Sequence, residues 1–162
     1  MLDSFLKKLS QWSLVAAIAL LFPSQLAQAA PANTAPKNLT QLLSELETAA
    51  NNEDMATVRA VYSPELTTTS GLDVAALTQK LEQLWNTYDQ LDYQVELENW
   101  EKQGETLVAE TVTRIRGLRN AQGREVFLEA TLRSRQTIRE GQIVTQDMLS
   151  EQSKVYIGEN AP

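Results

Sequence analysis

The chain has 162 residues, of which 43% are hydrophobic and 22% charged, and its formal net charge is −7, which suits one domain with an apolar core. The absence of cysteine excludes a disulfide scaffold, a Cys-ligated metal centre and a thiol nucleophile, and the absence of histidine removes the commonest general base and metal ligand. The acidic balance argues against a nucleic-acid partner, because such proteins need a basic surface.

Residues 1–29 have the three-part layout of a secretory signal peptide. Lys7 and Lys8 supply a positive start, residues 14–22 (LVAAIALLF) form an apolar run, and Ala27 and Ala29 provide small side chains before a cleavage site. The apolar run is well short of the roughly 20 residues that a membrane-spanning helix needs. We therefore predict export to the periplasm, the thylakoid lumen or the exterior, with no stable membrane anchor after cleavage.

Three segments of helical periodicity follow a Pro- and Ala-rich stretch. Residues 30–37 (APANTAPK) are predicted to be a mobile leader, residues 38–158 the folded domain, and residues 159–162 a tail. Asp54 and Asp73 are placed to cap the second and third helices, and a polar loop over residues 67–71 separates these two helices. The apolar stripes are Leu39, Leu42, Leu43, Leu46 and Ala50; Met55, Val58, Val61 and Tyr62; and Val74, Leu77, Leu81, Leu84, Trp85 and Tyr88.

From Asp92 onward the apolar period changes to two, which indicates β-strands. Turn signals divide this part into four strands, joined by a three-residue loop ending at Gly104, a four-residue loop over residues 120–123 and a two-residue turn over residues 140–141. The second loop would place Arg114 opposite Glu129, and Glu110 opposite Arg133. This pattern predicts an α+β fold, in which two to three helices pack on one face of a four-stranded, mainly antiparallel sheet.

The predicted register gives the sheet two unlike faces. The inner face, which should receive the helices, carries Tyr93, Val95, Leu97, Leu107, Ile115, Leu128, Leu132 and Leu149. The outer face carries large apolar side chains that no helix covers, and a monomer would expose them at a cost in free energy. We therefore predict a homodimer through the outer-face residues Trp100, Val108, Val112, Phe127, Val144 and Met148. Another interpretation is an anion-binding surface of arginines, although nearby glutamates neutralise much of it.

The order of helices and strands resembles the nuclear transport factor two-like superfamily, which includes ketosteroid-isomerase-like and polyketide-cyclase-like proteins. The residues that carry the resemblance are Leu84-Trp85-Asn86-Thr87-Tyr88, Val108-Ala109-Glu110-Thr111-Val112-Thr113 and Leu149-Ser150-Glu151. The resemblance covers residues 39–158 and extends to exported members common in cyanobacteria. It implies a curved sheet in a cone-shaped fold with a cavity, and often a homodimer through the outer face of the sheet.

The mixed polar and apolar inner face predicts a pocket for a small apolar or amphipathic ligand. Its predicted lining is Tyr62, Trp85, Tyr88, Thr111, Thr113, Leu132, Ser134, Gln136, Thr145 and Asp147. The favoured function is therefore non-catalytic, either ligand binding or dimeric interaction, with no cofactor and no metal. The alternative is an isomerase or dehydratase in which Asp147, opposite Ser134, acts as the base after burial has raised its pKa.

Overall fold

The computed structural model describes residues 29–158, in which three helices pack against one face of a six-stranded sheet. The predicted signal peptide, apart from Ala29, and the predicted tail lie outside these residues. No helix within residues 29–158 is long and apolar enough to cross a membrane. The elements are β1 (Ala30–Pro31), a 3-10 turn (Ala32–Thr34), α1 (Lys37–Asn51), α2 (Met55–Val61), β2 (Tyr62–Thr68), α3 (Val74–Thr87), β3 (Gln90–Gln103), β4 (Thr106–Ala121), β5 (Arg124–Arg139) and β6 (Gln142–Ile157).

The helices form where the apolar periodicity predicts them. The Asp54 carboxylate accepts a hydrogen bond from the Thr57 N–H at 3.1 Å, and that of Asp73 accepts one from the Ala76 N–H at 2.8 Å, so both caps are confirmed. The apolar stripe of α1 is fully buried, whereas Thr78 is the one side chain of α3 that is fully buried. The third helix therefore leaves most of its apolar stripe only partly covered.

Two edge strands extend the predicted four-stranded sheet, which has the order β1-β3-β4-β5-β6-β2. Strand β2 follows α2 directly and runs parallel to β6, and it occupies part of the region where a polar loop was predicted. Strand β1 pairs with Asn99 and Trp100, and the Trp100 indole N–H donates to Thr34 Oγ1 at 3.2 Å. The predicted leader thus carries regular structure that packs on the sheet.

A β-bulge sets which side chains of β3 point toward the helices. The β3–β4 turn has two residues, Gly104 and Glu105, rather than the predicted three, and the extra residue Glu98 interrupts the register between Leu97 and Asn99. Because a bulge shifts the alternation by one residue, Tyr93, Val95 and Leu97 share the inner face, as predicted. The same shift puts Trp100 opposite Ala109 and against the core, so its predicted outer-face position is wrong.

The β4–β5 hairpin also has a two-residue turn, formed by Gln122 and Gly123 at φ 55° and 79°, rather than the predicted four-residue loop. Positive φ at both residues matches the turn type that fits the twist of a hairpin. The predicted pairs of Arg114 with Glu129 and of Glu110 with Arg133 are therefore wrong. Glu129 faces Arg116, and Glu110 faces Arg135. A shift of two residues preserves the inner and outer faces.

The β5–β6 turn at residues 140–141 is confirmed, but two bulges follow it on β6. The first lies at Val144 and inverts the alternation, and the second lies at Leu149 and restores it. Between the bulges, Gln146 and Met148 pair with inner-face residues of β5, while Asp147 pairs with Arg135 on the outer face. Met148 is therefore not part of the outer face, contrary to the prediction.

Ion pairs cover the outer-face valines that were expected to need a partner. Val108 and Val112 are only 6% and 7% exposed, although no helix packs on this face. Arg133 pairs with Glu98 at 2.6 Å and Arg135 with Glu101 at 2.7 Å, and both arginines also approach Glu110, at 3.8 and 3.9 Å. The aliphatic stems of such side chains shield apolar surface while the charges stay in water. An outer-face dimer would therefore not bury Trp100 and Met148, which face inward, and would gain little from the two valines, which are already buried.

Side chains of α1 cap the edge of the sheet at β3. The Asn51 side-chain amide donates to the Tyr93 carbonyl and accepts from the Tyr93 N–H, both at 2.8 Å, in the manner of a neighbouring strand. The Glu47 carboxylate accepts from the Val95 N–H at 2.7 Å. Together with β1, these groups satisfy backbone that would otherwise be open to another chain.

Replacing Asn51 with alanine is expected to lower the free energy of unfolding by about 1–3 kcal/mol, because both backbone groups of Tyr93 lose their partners. Urea titration followed by circular dichroism measures the change. Asn52→Ala, which removes the adjacent amide outside this contact, is the control and is expected to stay within about 0.5 kcal/mol of the parent. Equal losses in the two variants would contradict the capping role of Asn51.

Candidate functional site

A groove of about 540 Å³ lies between α3 and the inner face of the sheet. Its helix side is the apolar stripe of Leu77, Leu81 and Leu84, and its floor includes Ile115, Leu128, Ala130 and Leu132. One end is closed by side chains of α1, α2 and the segment around Tyr62, and the open side runs along β6. The groove exists because α3 packs less closely on the sheet than α1 does, so its leucines line space instead of core.

The structure brings together part of the predicted pocket. Tyr62, Tyr88 and Leu132 line the groove. Trp85 packs against the core, and its indole N–H donates to the Ala50 carbonyl at 2.9 Å. Four other predicted residues are buried on the inner face but do not line the groove: Thr111, Thr113, Ser134 and Gln136.

Thr145 and Asp147 lie on the opposite face of the sheet from the groove. They pair with Thr137 and Arg135, which face outward, because the bulge at Val144 inverts this part of β6. The predicted pairing of Asp147 with Ser134 is therefore wrong, and Met148 stands opposite Ser134 in its place. A carboxylate on this face does not reach a ligand in the groove, so the structure contradicts Asp147 as a catalytic base.

The open side of the groove is formed by residues that were not predicted to lie there: Gln146, Met148, Glu151 and Ser153. The prediction missed them because it treated β6 as a regular strand, and each bulge changes the face of every residue that follows. Leu149 offered a possible signal of a bulge. In a regular strand the adjacent apolar residues Met148 and Leu149 point to opposite faces, so they cannot both be buried on the inner face. In the structure, Leu149 is the bulged residue and is 48% exposed.

Two tyrosines place neutral hydroxyl groups in the groove. Tyr62 is 8% exposed, and burial raises its pKa far above the ordinary value of 10. Burial likewise raises the pKa of Tyr93 to about 12; a hydrogen bond with Thr113 works in the opposite direction, and the Glu47 carboxylate adds to the rise. At neutral pH both phenols are therefore protonated and able to donate a hydrogen bond.

Polar side chains extend from the groove into the neighbouring core. The hydroxyls of Thr111 and Ser134 lie 3.2 Å apart, and both side chains are buried. Gln136 and Gln146 stand opposite each other on β5 and β6, and their Oε1 atoms are buried without a hydrogen-bond partner within residues 29–158. Because Gln146 also lines the groove, one unsatisfied amide belongs to the site.

The charged groups of the groove lie at its mouth. Lys80 on α3 and Glu151 on β6 are both exposed lining residues. Within residues 29–158, no three acidic side chains are grouped in a way that could hold a metal ion. The groove therefore offers apolar contact together with three phenols, two glutamine amides and three aliphatic hydroxyls, with charge at the entrance.

At the far end of the groove, Tyr88 packs directly on Gly117. A Cβ atom at position 117 would lie 2.7 Å from Tyr88 Cγ and 2.8 Å from Tyr88 Cδ1. The Arg119 guanidinium lies 5.9 Å from the centroid of the same ring, within the range of a cation–π contact. Gly117 therefore lets the residue that follows α3 lie flat on the sheet and form one end of the groove.

No protein-family model matches the chain, and no curated protein matches it. Solved structures do. A hexachlorocyclohexane dehydrochlorinase (LinA) of type 2 aligns with a TM-score of 0.53 at 12% identity, over 77% of this chain and 92% of that one. The Kfla4162 protein from Kribbella flavida aligns with a TM-score of 0.53 at 7% identity, over 71% and 90%. The LinA-type3 dehydrochlorinase from Novosphingobium barchaimii aligns with a TM-score of 0.51 at 11% identity, over 77% and 93%.

At these identities the similarity shows the fold alone. The α+β architecture predicted from the sequence is confirmed, and residues 29–158 contain three α-helices and six strands, where four strands were predicted.

Proposed function

We propose that the chain is an exported binding protein for a small amphipathic molecule that lies in the groove between α3 and the sheet. The observation that carries the proposal is the uncovered apolar stripe of α3, which faces an apolar sheet floor across about 540 Å³ of space. Sites for small molecules have this size and this mainly apolar lining with a few polar groups. The layout of residues 1–29 supports export.

The polar groups of the groove favour a ligand that carries hydroxyl or carbonyl oxygens. Tyr62 and Tyr93 can donate hydrogen bonds from the floor, and the unsatisfied amide of Gln146 accepts one from the β6 side. A fully apolar molecule would leave this buried amide without a partner, which costs free energy. The expected ligand therefore places an apolar body along α3 and a polar group near Gln146.

Binding is favoured over catalysis by the positions of the ionisable groups. The carboxylate that lines the groove, Glu151, is exposed to water at the mouth. The chain has no histidine to act as a base in its place. Two of the similar solved structures are named as dehydrochlorinases, but the candidate base for a related reaction here, Asp147, lies on the outer face.

Filling the groove is expected to weaken binding. Ala130 lies on the groove floor, and the indole of Ala130→Trp would occupy the space next to α3. Titration with the uncharged fluorophore N-phenyl-1-naphthylamine is expected to show an affinity at least about tenfold weaker than that of the parent chain, since the ligand must displace the new ring.

Thr131→Trp provides the matched control, because residue 131 is adjacent in the chain but exposed on the outer face, opposite Arg114. This variant adds the same indole ring without changing the groove, and it is expected to bind as the parent does. Equal weakening in both variants, or no binding of the probe by the parent, would refute the groove as the binding site.

A further inference from the structure

The exposed large apolar side chains of the described residues all lie on one strand. Met148, Leu149, Val155 and Ile157 are 40%, 48%, 57% and 61% exposed, and all lie on β6 between Met148 and the end of the strand. A run of this kind on a single strand is the surface that most needs a partner. The outer face, by contrast, has its valines covered by ion pairs.

The same part of β6 has an unpaired backbone edge. Strand β2 pairs with β6 as far as Gln146, and Thr69 Oγ1 accepts a hydrogen bond from the Met148 N–H at 3.3 Å. From Leu149 to Ile157, no strand within residues 29–158 pairs with the side of β6 that faces away from β5. The free edge thus spans nine residues, which is a full strand length.

The direction of the backbone groups on this edge follows from the last bond of the strand. The Gly158 N–H donates to the Glu125 carbonyl of β5 at 3.0 Å. Because alternate residues of a strand direct their N–H and C=O to opposite sides, the odd-numbered residues direct theirs away from β5. The groups available for pairing therefore belong to Glu151, Ser153, Val155 and Ile157.

The backbone groups at the two edges of the sheet differ in whether they have hydrogen-bond partners. At β3, Asn51, Glu47 and β1 occupy the backbone groups. At β6, the one lysine of the free segment, Lys154, lies opposite Glu129 of β5, which offsets its charge. A long edge with apolar side chains and little charge is the kind that pairs with another strand.

We propose that the free edge of β6 pairs antiparallel with the same edge of a second copy of the chain, which joins two six-stranded sheets into one. A twofold axis perpendicular to the sheet keeps the inner faces of both copies on the same side, so only residues of the same face can oppose each other. Full overlap of residues 149–157 satisfies this condition and places Ser153 on the axis, opposite Ser153 of the second copy.

This register is self-complementary. Leu149 opposes Ile157 of the second copy, so two of the exposed apolar side chains cover each other across the interface. Gln152 opposes Lys154, and no two like charges face each other directly. Since β3 is capped and the first part of β6 is covered by β2, the pairing ends at a closed dimer and does not continue into a fibre.

The pairing would also border the groove. Glu151 and Ser153 line its open side and are two of the residues that contact the second strand in this register. Val155 of the second copy would lie opposite Glu151 and extend the groove wall with an apolar side chain. The interface rests on the β6 edge alone, so its test is independent of ligand binding.

A single introduced cysteine tests the register, because the full chain has no other cysteine. Hydrogen-bonded residues that oppose each other in antiparallel strands have Cα atoms about 5.5 Å apart, which is within the range that a disulfide requires. Under mild oxidation, Ser153→Cys is expected to form a covalent dimer on a non-reducing gel. Glu105→Cys, in the exposed turn after β3, is expected to form much less. Equal cross-linking of the two variants would overturn the proposal.

Sedimentation of the full chain tests the hydrogen bonds. Ser153→Pro removes an N–H that makes no bond to β5, and proline is tolerated at an edge, so the fold is expected to persist by circular dichroism. The two N–H groups lost at the axis should weaken the dimer by about tenfold or more, whereas Ser153→Thr should leave it intact. Val155→Lys provides a second disruptive variant with an unchanged backbone.

Phe127→Glu distinguishes this interface from one on the outer face, where Phe127 lies opposite Leu118. The β6 proposal expects this variant to dimerise as the parent chain does. A parent chain that remains monomeric at high micromolar concentration would overturn the proposal, and so would a dimer that Phe127→Glu disrupts but Ser153→Pro and Val155→Lys do not.

Discussion

Replacing Gly117 with alanine is expected to lower the free energy of unfolding by about 1–3 kcal/mol and to distort one end of the groove. The new methyl carbon would lie 2.7 Å from Tyr88 Cγ, so the ring has to move by roughly 1 Å to reach an ordinary contact distance. Tyr88 is the residue that ends α3, and its N–H is bonded to the Leu84 carbonyl. Moving its ring therefore also strains the end of the helix that forms the groove wall.

A double-mutant cycle with Tyr88→Ala separates this collision from other effects of the methyl group. When the ring is absent, Gly117→Ala should cost little, because a non-glycine residue accepts this extended backbone without strain. Denaturant titration of the four proteins would then give a coupling free energy of about 1 kcal/mol or more. Simple additivity of the two single changes would show that the contact between the ring and Gly117 does not limit stability.

The contact between Tyr88 and Gly117 could not be predicted from the sequence, although the residues on either side of it were placed correctly. Helical spacing predicted Tyr88 on the stripe of α3, and alternation predicted Ile115 on the inner face. Nothing in either pattern shows that the ring crosses to the sheet at a position without a side chain. Such a contact depends on the angle between helix and sheet, which results from packing throughout the core.

Alternation predicted faces well and registers poorly, and the reason is physical. Burial strongly favours one of the two sets of alternate residues as the inward set of each strand. In β3 the other choice would turn Glu96 inward and Val95 outward. A change in loop length and a bulge can cancel each other. Different strand registers then leave the same residues facing inward. At β3, a two-residue turn with a bulge at Glu98 gives the same inward residues as the predicted three-residue loop, but it reverses Trp100.

The same compensation decides the candidate site on β6. The turn at residues 140–141 was predicted correctly, yet the two bulges beyond it exchange the faces of Gln146 and Asp147. A bulge leaves little trace in composition, since any residue can occupy it, so the sequence pattern placed Asp147 on the wrong face of the sheet. Tyr62, Tyr88 and Leu132 were placed in the groove correctly. No bulge interrupts the periodic segments from which their positions were predicted.

The edge strands show a second limit of sequence patterns. Residues 30–31 and 62–68 pair through backbone groups, and neither segment has a long alternating apolar run. Their pairing depends on neighbours that become available only after β3 and β6 have formed. It also determines which half of β6 remains free, and therefore where the proposed dimer interface lies.

The fold is expected to lose stability at alkaline pH. Tyr62 and Tyr93 have pKa values raised above the unfolded value of 10, mainly because burial disfavours the tyrosinate. Below pH 10 both states are protonated, and stability does not depend on these groups. As the pH rises above 10 the unfolded chain loses these protons first, so stability falls. For Tyr93, whose pKa is about 12, the loss by pH 12 is about 2 kcal/mol, and Tyr62 adds to it.

Absorbance at 295 nm and circular dichroism, recorded together on Tyr88→Phe/Tyr156→Phe, measure this effect, because the tyrosines that remain in this variant are Tyr62 and Tyr93. Tyrosinate is expected to appear only as the circular dichroism signal is lost, above pH 10. Adding Tyr62→Phe should move the alkaline unfolding midpoint to higher pH, because one of the protons that drive unfolding is removed. Tyrosinate that forms near pH 10 in a chain with native circular dichroism would show that these phenols are open to water, and the groove floor would then be wetter than the structure has it.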